Sequence, residues 1–208
     1  EIRLSLVGSE MCIRDSSQAA ARLGPVARDA ARDIQVLLTS IARLDEGRRA
    51  QAVNDFFNRR VVFADDLDIW GAADYWASPL ETLQRGRGDC EDFAIAKYFV
   101  LRASGVPAQR LRLVYVRAQI AGREGASPNV IPHLVLAWYA PGGGEPLVLD
   151  NLVREPLAAS RRPDLSPVFS FNSEGLWQGV TGSNAGDPLQ RLSKWRDVLA
   201  RSREEGFE

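Results

Sequence analysis

The hydrophobic periodicity of the chain changes from helical to strand-like at Gly105-Val106-Pro107, and this change is the strongest constraint on the fold. Before it, apolar residues recur at spacings of three and four, which predicts amphipathic helices. After it, they alternate or form short runs between turn residues, which predicts strands. Helices followed by strands joined through short turns indicate an α+β domain with an antiparallel sheet.

The first half predicts a series of helices that leads to a central one. Residues 18–59 have helical spacing with a break at 44–47, and Ser78-Pro79 predicts the start of a helix that stops at Gly86. The segment between them, Ala64 to Ser78, is interpreted as a loop over the core. A helix from Cys90 to about Ser104 is apolar around much of its circumference, so we expect it to be central.

The second half predicts strands and a closing helix. The strands are Leu111–Val116, His133–Tyr139 and Leu147–Asp150, and the glycines at 142–144 predict a hairpin between the last two. A closing helix is expected over 189–203. Together the two halves predict N-terminal helices and a central helix packed on an antiparallel sheet.

The composition excludes several functional classes. A chain of 208 residues suits one domain with a sizeable core. Its net charge of −1 provides no basic face, so we expect no nucleic acid and no anionic membrane among its partners. No apolar run approaches the roughly 18 residues of a membrane span, so no membrane insertion is expected. A single histidine excludes a multi-histidine zinc site.

The N-terminal segment has a foreign character. Residues 5–16 read SLVGSEMCIRDS, which resembles the in-frame translation of a transposon-based sequencing adapter. We therefore interpret residues 1–16 as not native and residues 17–208 as a single domain. Cys12 is then not native, and Cys90 is the one genuine cysteine, which allows no intrachain disulfide. A genuine but irregular N-terminal segment is the alternative interpretation.

Three residues could together form a catalytic site. Cys90 lies at the first turn of the predicted central helix, where backbone N–H groups and the helix dipole stabilise a thiolate or an oxyanion. His133 starts one strand and Asp150 ends its partner, and an Asp beside a His orients the imidazole. Taken singly, each has a simpler explanation: an inert buried cysteine, a hydrogen-bonded core histidine and a turn aspartate. Their order along the chain is that of papain-like and transglutaminase-like enzymes.

The sequence around these residues resembles a known family. Residues 88–99, GDCEDFAIAKYF, are similar to the nucleophile helix of the bacterial transglutaminase-like cysteine proteinases of the LapG type. Residues 132–136, PHLVL, and 147–152, LVLDNL, resemble the His and Asp motifs of that family. The resemblance runs from roughly Asn54 to the C-terminus and implies a papain/transglutaminase-like fold for the domain of residues 17–208. It also implies that Cys90 is the nucleophile, His133 the base and Asp150 the orienting acid. A Gly-rich segment at 121–131 is longer than the family pattern.

Asp89, Glu91 and Asp92 surround Cys90 in the sequence. Three carboxylates beside a thiol should raise its pKa, and a bound divalent cation would offset this effect. Oxygen ligands favour Ca²⁺ over zinc. From residue types alone, an N-cap aspartate followed by first-turn acids is the preferred explanation. The family resemblance implies instead that Asp89, Glu91 and Asp92 are calcium ligands.

The resemblance also implies a biological role. It indicates a calcium-dependent cysteine endopeptidase of the Gram-negative periplasm, which cleaves the N-terminal retention region of a large surface adhesin and releases biofilm cells. A LapD-type inner-membrane receptor for cyclic-di-GMP would sequester it. Two alternatives remain open at this point. A transglutaminase-like acyl transferase would pass the acyl group to an amine, and a catalytically inactive domain would only bind calcium or a partner.

Overall fold

The computed structural model describes residues 25–121, 129–180, 182 and 184–207. The adapter-like segment and residues 122–128 of the Gly-rich segment lie outside this range. The helices are α1 (Pro25–Ile41), α2 (Glu46–Arg60), α3 (Asp66–Trp70), α4 (Pro79–Arg85), α5 (Cys90–Ala103), α6 (Pro188–Arg191) and α7 (Ser193–Glu204). The strands are β1 (Val62–Phe63), β2 (Arg87–Gly88), β3 (Leu111–Ile120), β4 (Asn129–Trp138), β5 (Leu147–Leu149), β6 (Leu157–Ala158), β7 (Leu165–Phe171), β8 (Leu176–Gln178) and β9 (Asn184–Gly186). The predicted α+β class is confirmed.

The larger sheet is antiparallel, with the strand order β6-β5-β4-β3-β7-β8-β9. Strands β3 and β4 pair along their whole length, from Leu111 opposite Trp138 to Ile120 opposite Asn129. The predicted turn between β4 and β5 contains three successive glycines with positive φ, a conformation that residues with a Cβ rarely adopt. β1 and β2 form a separate parallel pair. β2 ends two residues before Cys90.

Strand β4 begins earlier than its sequence predicts, so His133 lies in the middle of the strand rather than at its start. The strand includes Pro132, although proline cannot donate to a ladder. The structure accommodates it because β5 pairs with β4 only over Leu136–Trp138. Among the described residues, no strand therefore pairs with the edge of β4 beside Pro132, and the missing N–H costs no ladder bond there.

Helix α5 is central, as predicted, and residues 92–101 are all buried. It shares the main core with Leu134, Leu136 and Trp138 of β4. Val135 and Ala137 belong to a second apolar cluster. This division confirms the predicted alternation of side chains along β4, because successive residues of a strand point to opposite faces.

Two predicted boundaries were wrong. The segment Ala64 to Ser78 is not entirely a loop, since it contains α3, which ends where Gly71 adopts a left-handed conformation. The closing helix is divided into α6 and α7 because the backbone of Leu192 leaves the helical region. Within the part of the chain that the structure describes, no helix has the length and hydrophobicity of a membrane span.

Candidate active site

Local sequence places Cys90 as the first residue of α5. Asp89 is the N-cap, and its side chain accepts hydrogen bonds from the backbone N–H groups of Glu91 at 3.1 Å and Asp92 at 3.3 Å. The Asp92 carboxylate in turn accepts a hydrogen bond from the Asp89 backbone N–H at 3.3 Å, which completes a capping box. Gly88 is required beside it, since a Cβ at that position would lie 2.8 Å from the Asp92 Cβ. The motif therefore fixes where the thiol emerges.

The Cys90 thiol is partly buried and has two close polar neighbours. Its Sγ donates to Oε2 of Glu91 at 2.7 Å, and the backbone N–H of Leu134 lies near enough to lower the pKa of the thiol. Burial, followed by the charge and hydrogen bond of Glu91, raises the pKa of the Cys90 thiol well above its usual range. The Leu134 N–H acts in the opposite direction. Because Leu134 directly follows His133, this contact brings the sulfur to the edge of β4 beside the histidine.

His133 and Asp150 form a buried pair with 2% and 1% of their surface exposed. His133 Nε2 and Asp150 Oδ1 are 2.8 Å apart. Burial alone would raise the pKa of Asp150, but the hydrogen bond and charge of His133 and further bonds from Leu152 and Arg162 lower it to about 2. An ionised Asp150 accepts a hydrogen bond from the Nε2–H group, so Nδ1 is left as the nitrogen that can accept a proton.

Asp150 is held by groups that its sequence motif does not reveal. Arg162 Nη2 donates to Asp150 Oδ2 at 2.8 Å. The carbonyl oxygen of Asp150 accepts from Asn58 Nδ2 at 2.7 Å and from Lys97 Nζ at 3.1 Å. Lys97 is fully buried, and burial lowers its pKa to about 7. These partners come from α2, α5 and the segment after β6, and no local pattern in the sequence pairs them with Asp150.

Cys90 and His133 line the same cleft, which has a volume of about 570 Å³. Asp150 lies beneath His133 and does not line it. The cleft has an apolar part and an acidic part. The apolar lining includes Phe63, Ile120, Ile131, Pro132 and Leu152, and the acidic lining includes Asp65, Asp66, Asp74, Asp89 and Glu91. Phe63 and Leu152 are about half exposed, so an extended apolar segment could contact them directly.

A carboxylate cluster adjoins the cleft. Asp66, Asp89 and Asp92 each place one oxygen within 4.8 Å of the others. The structure thus brings together two of the three expected calcium ligands, Asp89 and Asp92. The third carboxylate is Asp66 of α3, which sequence analysis missed because it assigned that segment to a loop. Glu91 is outside this group, and its side chain contacts the Cys90 thiol instead.

The cluster has the properties of a cation site. Burial, together with neighbouring carboxylates, raises the pKa of Asp89 to about 9 and the pKa of Asp92 to about 8. The pKa of Asp66 is also raised, mainly by burial. Oδ1 of Asp66 is a buried oxygen without a hydrogen-bond partner. Hard oxygen donors with uncompensated negative charge suit Ca²⁺.

Comparisons with known proteins identify the family of the chain. Residues 30–161 match the model of a family described as bacterial transglutaminase-like cysteine proteinase. No curated protein matches the chain. The structure of EGTA-treated Legionella pneumophila LapG is 38% identical to the chain, with a TM-score of 0.75, and the match covers 91% of this chain and 97% of that one. Calcium-bound L. pneumophila LapG is 37% identical with a TM-score of 0.73, covering 91% and 98% of the two chains.

Proposed function

The chain belongs to the bacterial transglutaminase-like cysteine proteinase family, and from this premise we propose that it is a calcium-dependent cysteine endopeptidase of the periplasm. Its proposed substrate is the N-terminal retention region of a large surface adhesin, whose cleavage releases biofilm cells. A LapD-type inner-membrane cyclic-di-GMP receptor is its proposed sequestering partner. The observation that carries the catalytic part is the cleft shared by Cys90 and His133, with His133 bonded to Asp150.

The proposed reaction uses the His133 tautomer that the hydrogen bond to Asp150 favours. Nδ1 of His133 accepts the proton of the Cys90 thiol, and the thiolate attacks the carbonyl carbon of the scissile peptide. The oxyanion forms beside the N-terminal N–H groups of α5. The imidazolium then gives its proton to the leaving amine, which breaks the C–N bond. A water molecule hydrolyses the acyl-enzyme with His133 as general base, while Asp150 keeps the imidazole oriented throughout.

The proposed calcium ion would be held by Asp66, Asp89 and Asp92. Its charge would compensate three clustered carboxylates, two of them buried and one partly buried. We retain Glu91 as a further candidate ligand because it lines the same cleft and its charge already acts on Asp89. In the ion-free arrangement Glu91 opposes ionisation of the Cys90 thiol. A cation that draws this carboxylate away would favour the nucleophile. The calcium-bound LapG structure, 37% identical to this chain, supports the assignment.

The direct test is cleavage of an adhesin N-terminal fragment by the purified chain, with calcium and with a chelator. We expect two defined products with calcium, none with the chelator, and none from the Cys90→Ala variant in either condition. Mass spectrometry of the products distinguishes hydrolysis from transfer to an added amine. Cleavage that persists in the chelator refutes calcium dependence. Binding of calcium without any cleavage contradicts the protease proposal and favours the inactive binding domain.

A further inference from the structure

The carboxylate cluster is oriented by one irregular segment of the chain. The backbone N–H of Tyr75 donates to Oδ2 of Asp66 at 2.5 Å, and the backbone N–H of Ala77 donates to Oδ1 of Asp92 at 2.8 Å. Each hydrogen bond fixes the position of one carboxylate oxygen. The other oxygen of Asp66 is left without a partner. The positions of Tyr75 and Ala77 therefore determine where two of the three clustered carboxylates point.

This segment lies between α3 and α4 and has no helix or strand of its own at residues 71–78. Its conformation consequently depends on contacts from elsewhere in the fold. Nη2 of Arg201 donates a hydrogen bond to the backbone carbonyl oxygen of Trp76, which lies between the two donating residues. Arg201 lies 125 residues after Trp76 in the chain and belongs to α7. This hydrogen bond thus connects the C-terminal helix to the segment that orients the carboxylate cluster.

Arg201 is itself held in place by side chains on the same segment and on α4. Its guanidinium carbon lies 4.8 Å from the centre of the Tyr75 ring. Its Nε lies 3.3 Å from Oε2 of Glu81, and Tyr75 donates its hydroxyl proton to the other Glu81 oxygen at 2.9 Å. The planar guanidinium thus stacks on Tyr75, pairs with Glu81 and donates to Trp76 at the same time. An alkyl side chain cannot replace these three interactions.

We propose that Arg201 is a positioning residue for the cation site, acting through Tyr75, Trp76 and Ala77 on Asp66 and Asp92. The proposal rests on the calcium assignment made above. Carboxylate ligands of Ca²⁺ must reach about 2.3–2.6 Å from the ion, so a loosened backbone behind them weakens binding. Residues that hold metal ligands in place change metal affinity by roughly 10- to 100-fold when they are mutated.

The sign of the effect separates positioning from simple electrostatics. Arg201 carries a positive charge, so its removal would strengthen cation binding if only charge mattered. Positioning predicts the opposite, a weaker site after the same substitution. Arg203, exposed on the same helix, is the matched control, because Arg203→Met removes the same charge without touching the segment at 75–77.

The experiment is a calcium titration of the full chain by calorimetry, repeated as activity against free calcium. For Arg201→Met we expect a Kd raised about 10- to 100-fold, an activity midpoint shifted by the same factor, and an unchanged plateau at saturating calcium. Arg203→Met should stay within about twofold of wild type, and Arg201→Lys should lie between the two because it can still donate to Trp76. If Arg201→Met does not fold, Arg201→Lys decides, and a wild-type Kd for that variant overturns the proposal.

The outcomes distinguish the positioning role of Arg201 from the calcium assignment on which it depends. A wild-type chain that binds no calcium overturns the calcium assignment and the role of Arg201 together. A wild type that binds calcium, with Arg201→Met equal to Arg203→Met, overturns only the positioning role. A lower activity plateau and lower stability in chelator, without any change in Kd, show that Arg201 merely supports the fold and also overturn it.

Discussion

Replacing Arg162 by Met should destabilise the protein by an amount that the structure allows us to estimate. The side chains of Arg162 and Asp150 are 3% and 0% exposed, and their 2.8 Å contact is a buried ion pair. Removing one partner of such a pair costs about 3–5 kcal/mol, because the other charge remains buried and unpaired. The lowering of the pKa of Asp150 from 3.8 to about 2 corresponds to about 2.4 kcal/mol, which is what its partners contribute beyond the opposing effect of burial.

The assay is equilibrium urea unfolding at pH 7, with Arg161→Met as the control. Arg161 is the exposed neighbour of Arg162, so its substitution should change the unfolding free energy by less than about 0.5 kcal/mol. For Arg162→Met, the loss of about 3–5 kcal/mol corresponds to a fall in Tm of about 6–20 °C for a domain of this size. Activity should fall by up to about 100-fold, since Asp150 then orients His133 less well.

The same variant has a defined pH signature. The pKa of Asp150 lies below its ordinary value, so its stabilising contribution is complete above about pH 4 and is lost as the pH falls through about 2. Without Arg162, the pKa of Asp150 moves back toward its ordinary value, so its stabilising contribution is smaller and less stability is lost between about pH 4 and pH 2. An Arg162→Met protein with the stability and acid sensitivity of Arg161→Met would refute the reasoning, since it would show that Arg162 does not compensate Asp150.

Two further predictions concern other buried carboxylates. Asp66→Asn should weaken calcium binding about tenfold or more, because affinity follows ligand charge. Asp68→Asn, at an exposed position on the same helix, should leave calcium binding unchanged. Equal Kd values for the two variants in calorimetry would show that Asp66 is not a ligand. Burial raises the pKa of Glu205 to about 7 from 4.5, so the protonated form is favoured in the folded state and stability is lost as the pH rises from about 4.5 through 7, by up to about 3 kcal/mol. Glu205→Gln should flatten that part of the stability curve relative to wild type in urea titrations at pH 5 and pH 8, and parallel curves would contradict the prediction.

The sequence predicted the parts of the fold that local patterns encode. The family, the fold class, the capping of α4 by Ser78 and its end at Gly86 are confirmed. Each depends on residues that are close in the chain, such as an N-cap with its capping box or alternation along a strand. Residues 88–92 are the clearest case, because they set the N-terminus of α5 and bring Asp89 and Asp92 together without help from distant contacts.

What the sequence did not predict depends on contacts between distant segments. Asp66 is 23 residues before Asp89 in the numbering and joins it only because α3 forms within a stretch that resembles a loop. Arg162 reaches Asp150 from beyond β6, and Lys97 reaches it from a helix face that amphipathic patterning would assign to the core. A polar residue that is buried with a partner follows no periodicity, so its role becomes visible only when the partner is placed.

The length of β5 explains how these parts form a cleft. β5 has three residues and pairs with β4 only over Leu136–Trp138, so β4 has a free edge from Pro132 to Val135. An unpaired edge normally invites another strand. Here Pro132 has no N–H to offer, and the Leu134 N–H lies near the Cys90 sulfur. A longer β5 would compete with the sulfur for that N–H. Asp150 comes directly after β5. The early end of β5 therefore leaves the edge of β4 open near the thiol and also places the Asp150 carboxylate beneath His133.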